Sequence, residues 1–395
     1  MGGGFHQVTG TLTVLGNITS SNGISPLGEG ANSVLIGAGA ISNTLYAISI
    51  GYDAQATQTA ATAIGVSSRG SNQVDIAIGY QATSDGVGNV AVGYSSKAYN
   101  GSAAIAIGNT PTAGASSTIA LGQLASASAV QATAIGYTAV ANGIDAIGIG
   151  AYAGASATNA ISIGRESDAT ADTAIAIGYT AQATAGAANI AIGNAASAGG
   201  GYDAIAIGGY SIAAGSGAPI AIGSSAEASQ NNDISIGRSA QSRGNSTIAL
   251  GLETLSISDF TVAAGAYASA SAASAIAIGK LASGSAANSI AVGSYTHANY
   301  KDLCVLGKQN MVQINNLTGT VIQTPTNATL LYTKSGELYT KDTGGNETQL
   351  SPHDKNNEWQ YYSVNSKTGK VVRIKMEKMI RKLEQITGES FIEYK

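Results

Sequence analysis

Three histidines, His6, His297 and His353, are the only imidazoles in the sequence. Metal sites and nucleophile–base pairs built on imidazole need converging ligands, commonly at HxH or HxxxH spacing. Neither spacing occurs, so no metal site and no triad is expected. His353 has one route to ligation, because a side chain near a threefold axis is presented three times. Paired carboxylates are the other common catalytic device, one acid and one base flanking a glycosidic bond. Glu166, Asp168 and Asp172 are close in sequence, but their spacing reads as a solvated corner. Gly148-Ile-Gly150 resembles the start of a dinucleotide loop. No amphipathic helix or acidic partner follows it, so no nucleotide is expected. The sequence therefore predicts no catalytic residues, no cofactor and no enzyme.

Aromatic side chains offer a different chemistry, stacking against a partner. Tyrosines recur one or two residues after a glycine: Tyr52, Tyr80, Tyr94, Tyr137 and Tyr179 at the first position, Tyr152, Tyr210, Tyr267 and Tyr295 at the second. They line the edge of a turn, where rings either stack on sugars or cover backbone and neighbouring turns. The second role is expected. Trp359, Tyr361 and Tyr362 form the one dense aromatic cluster. Strand alternation puts Trp359 and Tyr361 on one face and Tyr362 on the other, and they are the candidate receptor contact.

The elements that carry these residues follow from a repeat. A glycine closes phrases such as Ala174-Ile-Ala-Ile-Gly178 at Gly37, Gly51, Gly65, Gly79, Gly93, Gly108, Gly122, Gly136, Gly150, Gly164 and Gly178, and so on to Gly307, at intervals of 14 or 15 residues. A period this regular is the signature of a solenoid. Branched residues at alternate positions, as in Ile105/Ile107 and Ile276/Ile278, give a short strand. The glycine permits a turn at positive φ, and Tyr179-Thr-Ala181-Gln-Ala183 gives a second strand. Each period is then one coil of a β-solenoid, stacked at the ~4.8 Å strand spacing into a rod of roughly 90 Å. The 15-residue periods read as one-residue bulges in a surface turn.

Composition agrees with a slim, repeated core. There are 52 glycines but only three Phe and one Trp, so aromatic anchors cannot build a globular interior. The net charge is −4 with 11% charged residues, which argues against nucleic acid and anionic membrane as partners. No stretch is long and apolar enough for a transmembrane helix, and the first residues do not read as a signal peptide. Cys304 stands where other repeats carry Ile and is expected to be a small buried hydrophobe.

The two strands of a coil differ. The second alternates small apolar with polar residues, whereas the first is apolar throughout and calls for cover on both faces. A single coil has one inside. Stacked, the uncovered face becomes a long apolar stripe that a soluble monomer does not expose, so identical stripes are expected to meet in a symmetric oligomer.

The AIAIGxxAxA phrase at this period resembles the head repeat of YadA-like trimeric adhesins, and similar repeats occur in bacteriophage and other virion fibres. The resemblance covers residues 31–307. It implies an all-β fold, a left-handed parallel β-roll, and a homotrimer.

The ends differ from the rod. Residues 1–30 read as an N-terminal β cap or attachment segment. Residues 308–395 carry 12 of the 19 Lys+Arg and 9 of the 23 Asp+Glu, which marks a separate module. Within it, 308–350 is a β-rich connector with a hairpin turning at Asp342–Asn346. Residues 351–395 add a second hairpin near Lys367-Thr-Gly369 and a short helix. Met376, Met379, Leu383 and Ile386 fall on one helical face as the core of a trimerising helix, with Gly388 placed to end it. This combination is similar to phage tail fibres. YadA-like surface adhesins carry a secretion signal, a long coiled-coil stalk and a barrel anchor, which are not seen here. The expectation is therefore a trimeric virion fibre, such as a phage tail fibre, that contacts tail or baseplate proteins and a host-surface glycan or protein. The alternatives are an adhesin head on the bacterial cell surface and a purely structural spacer.

Overall fold

The computed structural model describes residues 24–25, 32–307 and, with breaks at 335–336, 345, 351–357 and 366–367, residues 330–391. His6, His353 and most of the expected N-terminal cap lie outside the described residues. The chain divides into two compact units, Met1–Asn310 and Met311–Lys395.

The first unit is a parallel β-solenoid. Three-residue strands such as Ile105–Ile107 and Ile175–Ile177 stack in one sheet, and two-residue strands such as Ser126–Ala127 and Gln182–Ala183 stack in a second. Each strand pairs in parallel with its counterpart one coil away, Ile105 with Ile119 and Gln182 with Ser197. The ladder continues through the turns, where the N–H of each marker glycine donates to the preceding coil, as from Gly150 to Ile135 at 2.8 Å. Nearly every backbone group is thus satisfied by a neighbouring coil, which lets fourteen residues hold a shape with almost no core.

That core is a column of alanines. Ala174, Ala176, Ala181 and Ala183 are all 0% exposed, and the pattern recurs along the rod. Most inward positions hold a methyl-sized side chain, and others hold a buried Ser, Thr, Asn, Asp or Pro, as at Thr118, Asn189 and Asp233. The marker glycine is equally constrained. From Gly37 to Gly293, φ lies between +125° and +142°, and a Cβ on Gly164 would sit 2.3 Å from the Gly178 carbonyl oxygen. Two residues later the chain takes the left-handed conformation whatever the residue, including Tyr152 (φ 60°) and Glu166 (φ 57°).

The 15-residue coils keep register, since Val90 pairs with Ile105 and Ile205 with Ile220. The extra residue lies between the second strand and the next first strand. In a 14-residue coil the residue entering that strand bonds back within its own turn, as from Ala146 N–H to Gly143 O at 3.2 Å. In three of the long coils the sequence supplies a substitute. Asn89 and Asn189 offer side-chain oxygens from the preceding coil to Ala104 N–H and Ala204 N–H, both at 2.8 Å, and Pro219 has no N–H to satisfy. At the N-terminal end, Ile24–Ser25 pairs antiparallel with Leu35 and Ile36 and covers the first coil's edge.

The second unit is a five-stranded antiparallel meander, Leu330–Lys334, Glu337–Lys341, Asn346–Gln349, Tyr361–Asn365 and Val371–Ile374, followed by the helix Met376–Thr387. Both expected hairpins are present, and Gly388 (φ 73°) ends the helix by donating to Glu384 O. The division expected at residue 350 runs through this sheet, because Asn346–Thr348 pairs with Ser363–Asn365. The strand Leu330–Lys334 was not anticipated. Its signal is a two-residue gap between two near-copies of the same alternating phrase, LLYTK and ELYTK.

Candidate interaction surfaces

The first surface is the outer face of the three-residue strands. Alternation turns the alanines inward and leaves Ile105 half-buried and Ile107 42% exposed in the single chain. Only Thr62 and Thr133 interrupt the otherwise apolar outer rows. Across the coil, the outer row of the second strands is mostly polar or small, including Ser126, Gln182, Ser197, Glu227 and Gln241. The asymmetry inferred from the sequence is therefore a property of the fold. One sheet faces water comfortably and the other does not. Cys304 corrects an expectation. It is exposed, because the Ile position it occupies points outward rather than into the alanine column.

The second surface is the turn edge after the marker glycine. Tyr80 and Tyr94 stack with centroids 5.3 Å apart at 9°, and Tyr137 meets Tyr152 edge-on at 5.2 Å. A hydrogen bond donated by the Tyr152 hydroxyl to Tyr137 holds its proton and raises it above its ordinary pKa. Arg165 lies 5.7 Å from the centre of the Tyr179 ring and 2.9 Å from the Glu166 carboxylate, and Lys280 lies over Tyr295 at 5.9 Å.

The carboxylates considered for acid–base chemistry do not converge. Glu166 is held by Arg165, while Asp172 accepts the Thr158 N–H at 3.2 Å. Asp168 is raised above the usual carboxylate range by burial. The most enclosed acids are Asp75 and Asp233, each at 0% exposure. Asp75 accepts N–H bonds from Asn72 at 2.8 Å and Asn89 at 3.0 Å, and Asp233 from Gln230 at 2.9 Å and Thr247 at 3.0 Å. Burial still raises Asp75 above the usual range. Both tie backbone together and face no opening. His297 is exposed on the outer row of the second strands. Among the described residues no group of three His, Cys, Asp or Glu is placed to hold a metal ion.

The third surface belongs to the C-terminal unit. Trp359 and Tyr361 line one shallow apolar cleft with Leu350 and Met376, while Tyr362 lies on the other face beneath Arg373 at 5.1 Å. The structure thus joins two of the three candidate receptor residues to one of the candidate helix-core residues and separates the third. Met379 and Leu383 are each 44% exposed and Ile386 is 80% exposed, so no residue of the helix is buried by its own chain. Among the sheet's described side chains Lys341, Glu347 and Gln349 are buried, while Val371, Val372 and Ile374 are exposed. No described helix is long and apolar enough to cross a membrane.

The family model for two copies of the YadA head domain repeat matches residues 45–68, 75–96, 113–139, 141–167, 220–240 and 228–254, all within the solenoid. No curated protein matches the chain.

Proposed function

Starting from a parallel solenoid of YadA-like head repeats, an adhesin-like and structural rather than enzymatic architecture, we propose that three copies assemble side by side into a surface fibre that mediates attachment. The observation that carries this reading is the apolar outer face from Val34 to Leu306, interrupted at Thr62 and Thr133, which the described residues leave partly exposed. Closed symmetry around an axis covers the stripe of every copy. YadA heads form homotrimers, which favours three over other closed numbers. The exposed apolar residues of the C-terminal sheet and helix support the same assembly, with Met376, Met379, Leu383 and Ile386 as its helical seam.

The setting this favours is a cell surface, where YadA-like heads are displayed. The virion, with tail or baseplate partners, was the first expectation from the sequence, and it draws no support from the family match. Sedimentation equilibrium combined with adhesion of the purified protein to intact cells tests the proposal. A trimer that adheres is expected; a stable monomer at micromolar concentration overturns the assembly. Removing residues 311–395 separates two roles. A trimer that still adheres places the reader on the rod, and a trimer that no longer adheres places it on the cleft around Trp359 and Tyr361.

A further inference from the structure

We propose that Tyr137, Tyr152, Arg165, Glu166 and Tyr179 form a binding site for a neutral, extended polysaccharide lying along the rod. The proposal rests on the attachment reading above and names its ligand class. These residues occupy the same turn edge on four successive coils, 42%, 50% and 48% exposed for the three tyrosines. Coils advance by about 4.8 Å, close to the advance of one pyranose ring in an extended chain, so successive sugars meet successive coils in register.

The alternative role for such rings is to cover the rod, and the structure argues against it. Coils with Asn109, Gln123 or Ser224 at the same place keep Ala113, Ala127 and Ala228 at 0% exposure. The interior does not need aromatic cover. Tyr152 moreover occupies a left-handed position (φ 60°), where a bulky side chain is strained and Asn or Gly would be easier. The rings also come with hydroxyl-directed chemistry. Arg165 supplies donors and Glu166 acceptors beside them, and Arg165 lies against Tyr179. Aromatic faces for the C–H side of a sugar, with a paired cation and anion for its hydroxyls, suit a carbohydrate. The pair sums to zero charge, which favours a neutral chain over a polyanion.

Titration calorimetry on the assembled 395-residue protein tests this, with cellohexaose as the probe and maltohexaose and a galacturonic acid hexamer as counter-probes. Saturable binding of cellohexaose is expected, weakened about tenfold by Tyr137→Ala and by a similar factor by Tyr179→Ala, as loss of one stacking platform implies. Tyr267→Ala, on a distant coil, leaves binding unchanged. All three side chains are exposed, and an unchanged melting temperature shows that the variants fold. No binding of cellohexaose, tighter binding of the galacturonate, or equal binding by the Tyr137→Ala/Tyr179→Ala double variant overturns the proposal. Adhesion to cells without oligosaccharide binding removes only the ligand class. Oligosaccharide binding without adhesion removes the attachment reading instead.

Discussion

At the scale of single residues, the glycine that marks each coil is the least replaceable position. Gly164→Ala adds a Cβ at φ +136° against the next coil's carbonyl. The expected loss is about 3 kcal/mol, from an unfavourable backbone region and a contact that neither coil can relieve without moving. Because each coil touches only its neighbours, the damage is local, and hydrogen exchange should show lost protection centred on residues 150–178. Gly209→Ala is the control, since its nearest neighbour lies 3.9 Å away, and it should change little. Asp75 makes a prediction about pH. Its pKa is raised by burial, so the folded chain holds this proton more tightly than the unfolded chain does. Its contribution therefore favours folding at acid pH and is lost as pH rises from the ordinary value of 3.8 through the raised one. Thermal unfolding across that window should show this slope in the wild type and a flatter one in Asp75→Asn. Glu227 behaves oppositely. Burial alone would raise it, but hydrogen bonds from Arg243 at 2.8 Å and Ser229, with the Arg243 charge, hold it below the ordinary range. Its pair is partly exposed, so little stability depends on it.

At the scale of elements, the two strands of a coil have opposite duties, and substitutions on them should differ accordingly. Ile163→Lys puts a charge into the outer apolar row, and three copies of that charge meet around the proposed axis. Dissociation at micromolar concentration, a loss of several kcal/mol of association, is expected in sedimentation velocity runs. Ser126→Lys, on the polar outer row of the other sheet, should leave the assembly intact. The strand pattern and the uncovered apolar face of the first strand were legible because a period of two is repeated in coil after coil. What was not legible was how the long coils manage their extra residue. The roles of Asn89, Asn189 and Pro219 depend on which N–H loses its partner in the turn, and that is set by stacking one coil upon another. Cys304 was misplaced for a related reason. Its equivalence to Ile was correct, but the Ile positions face outward and the burial belongs to the alanines.

At the scale of the whole molecule, the solenoid has a complete hydrogen-bond ladder and an incomplete burial of apolar surface, and the second unit has exposed valines beside buried Lys341 and Glu347. The association with identical chains proposed above would cover both. The prediction is a trimer, three times 39.1 kDa, whose melting temperature rises with protein concentration, as it must when folding and assembly are linked. A melting temperature independent of concentration, with the mass of one chain, would remove it.

The sequence by itself determined the solenoid, its coil count, the two hairpins and the closing helix, because each rests on a local period or turn that needs no distant contact. The tertiary structure alone decided the rest. It set Tyr152 against Tyr137 and Arg165 against Tyr179, joined Trp359 and Tyr361 to Met376, and carried the C-terminal sheet across the boundary expected at residue 350. These are juxtapositions between residues from different coils or strands, and they depend on how each coil or strand is packed against the next.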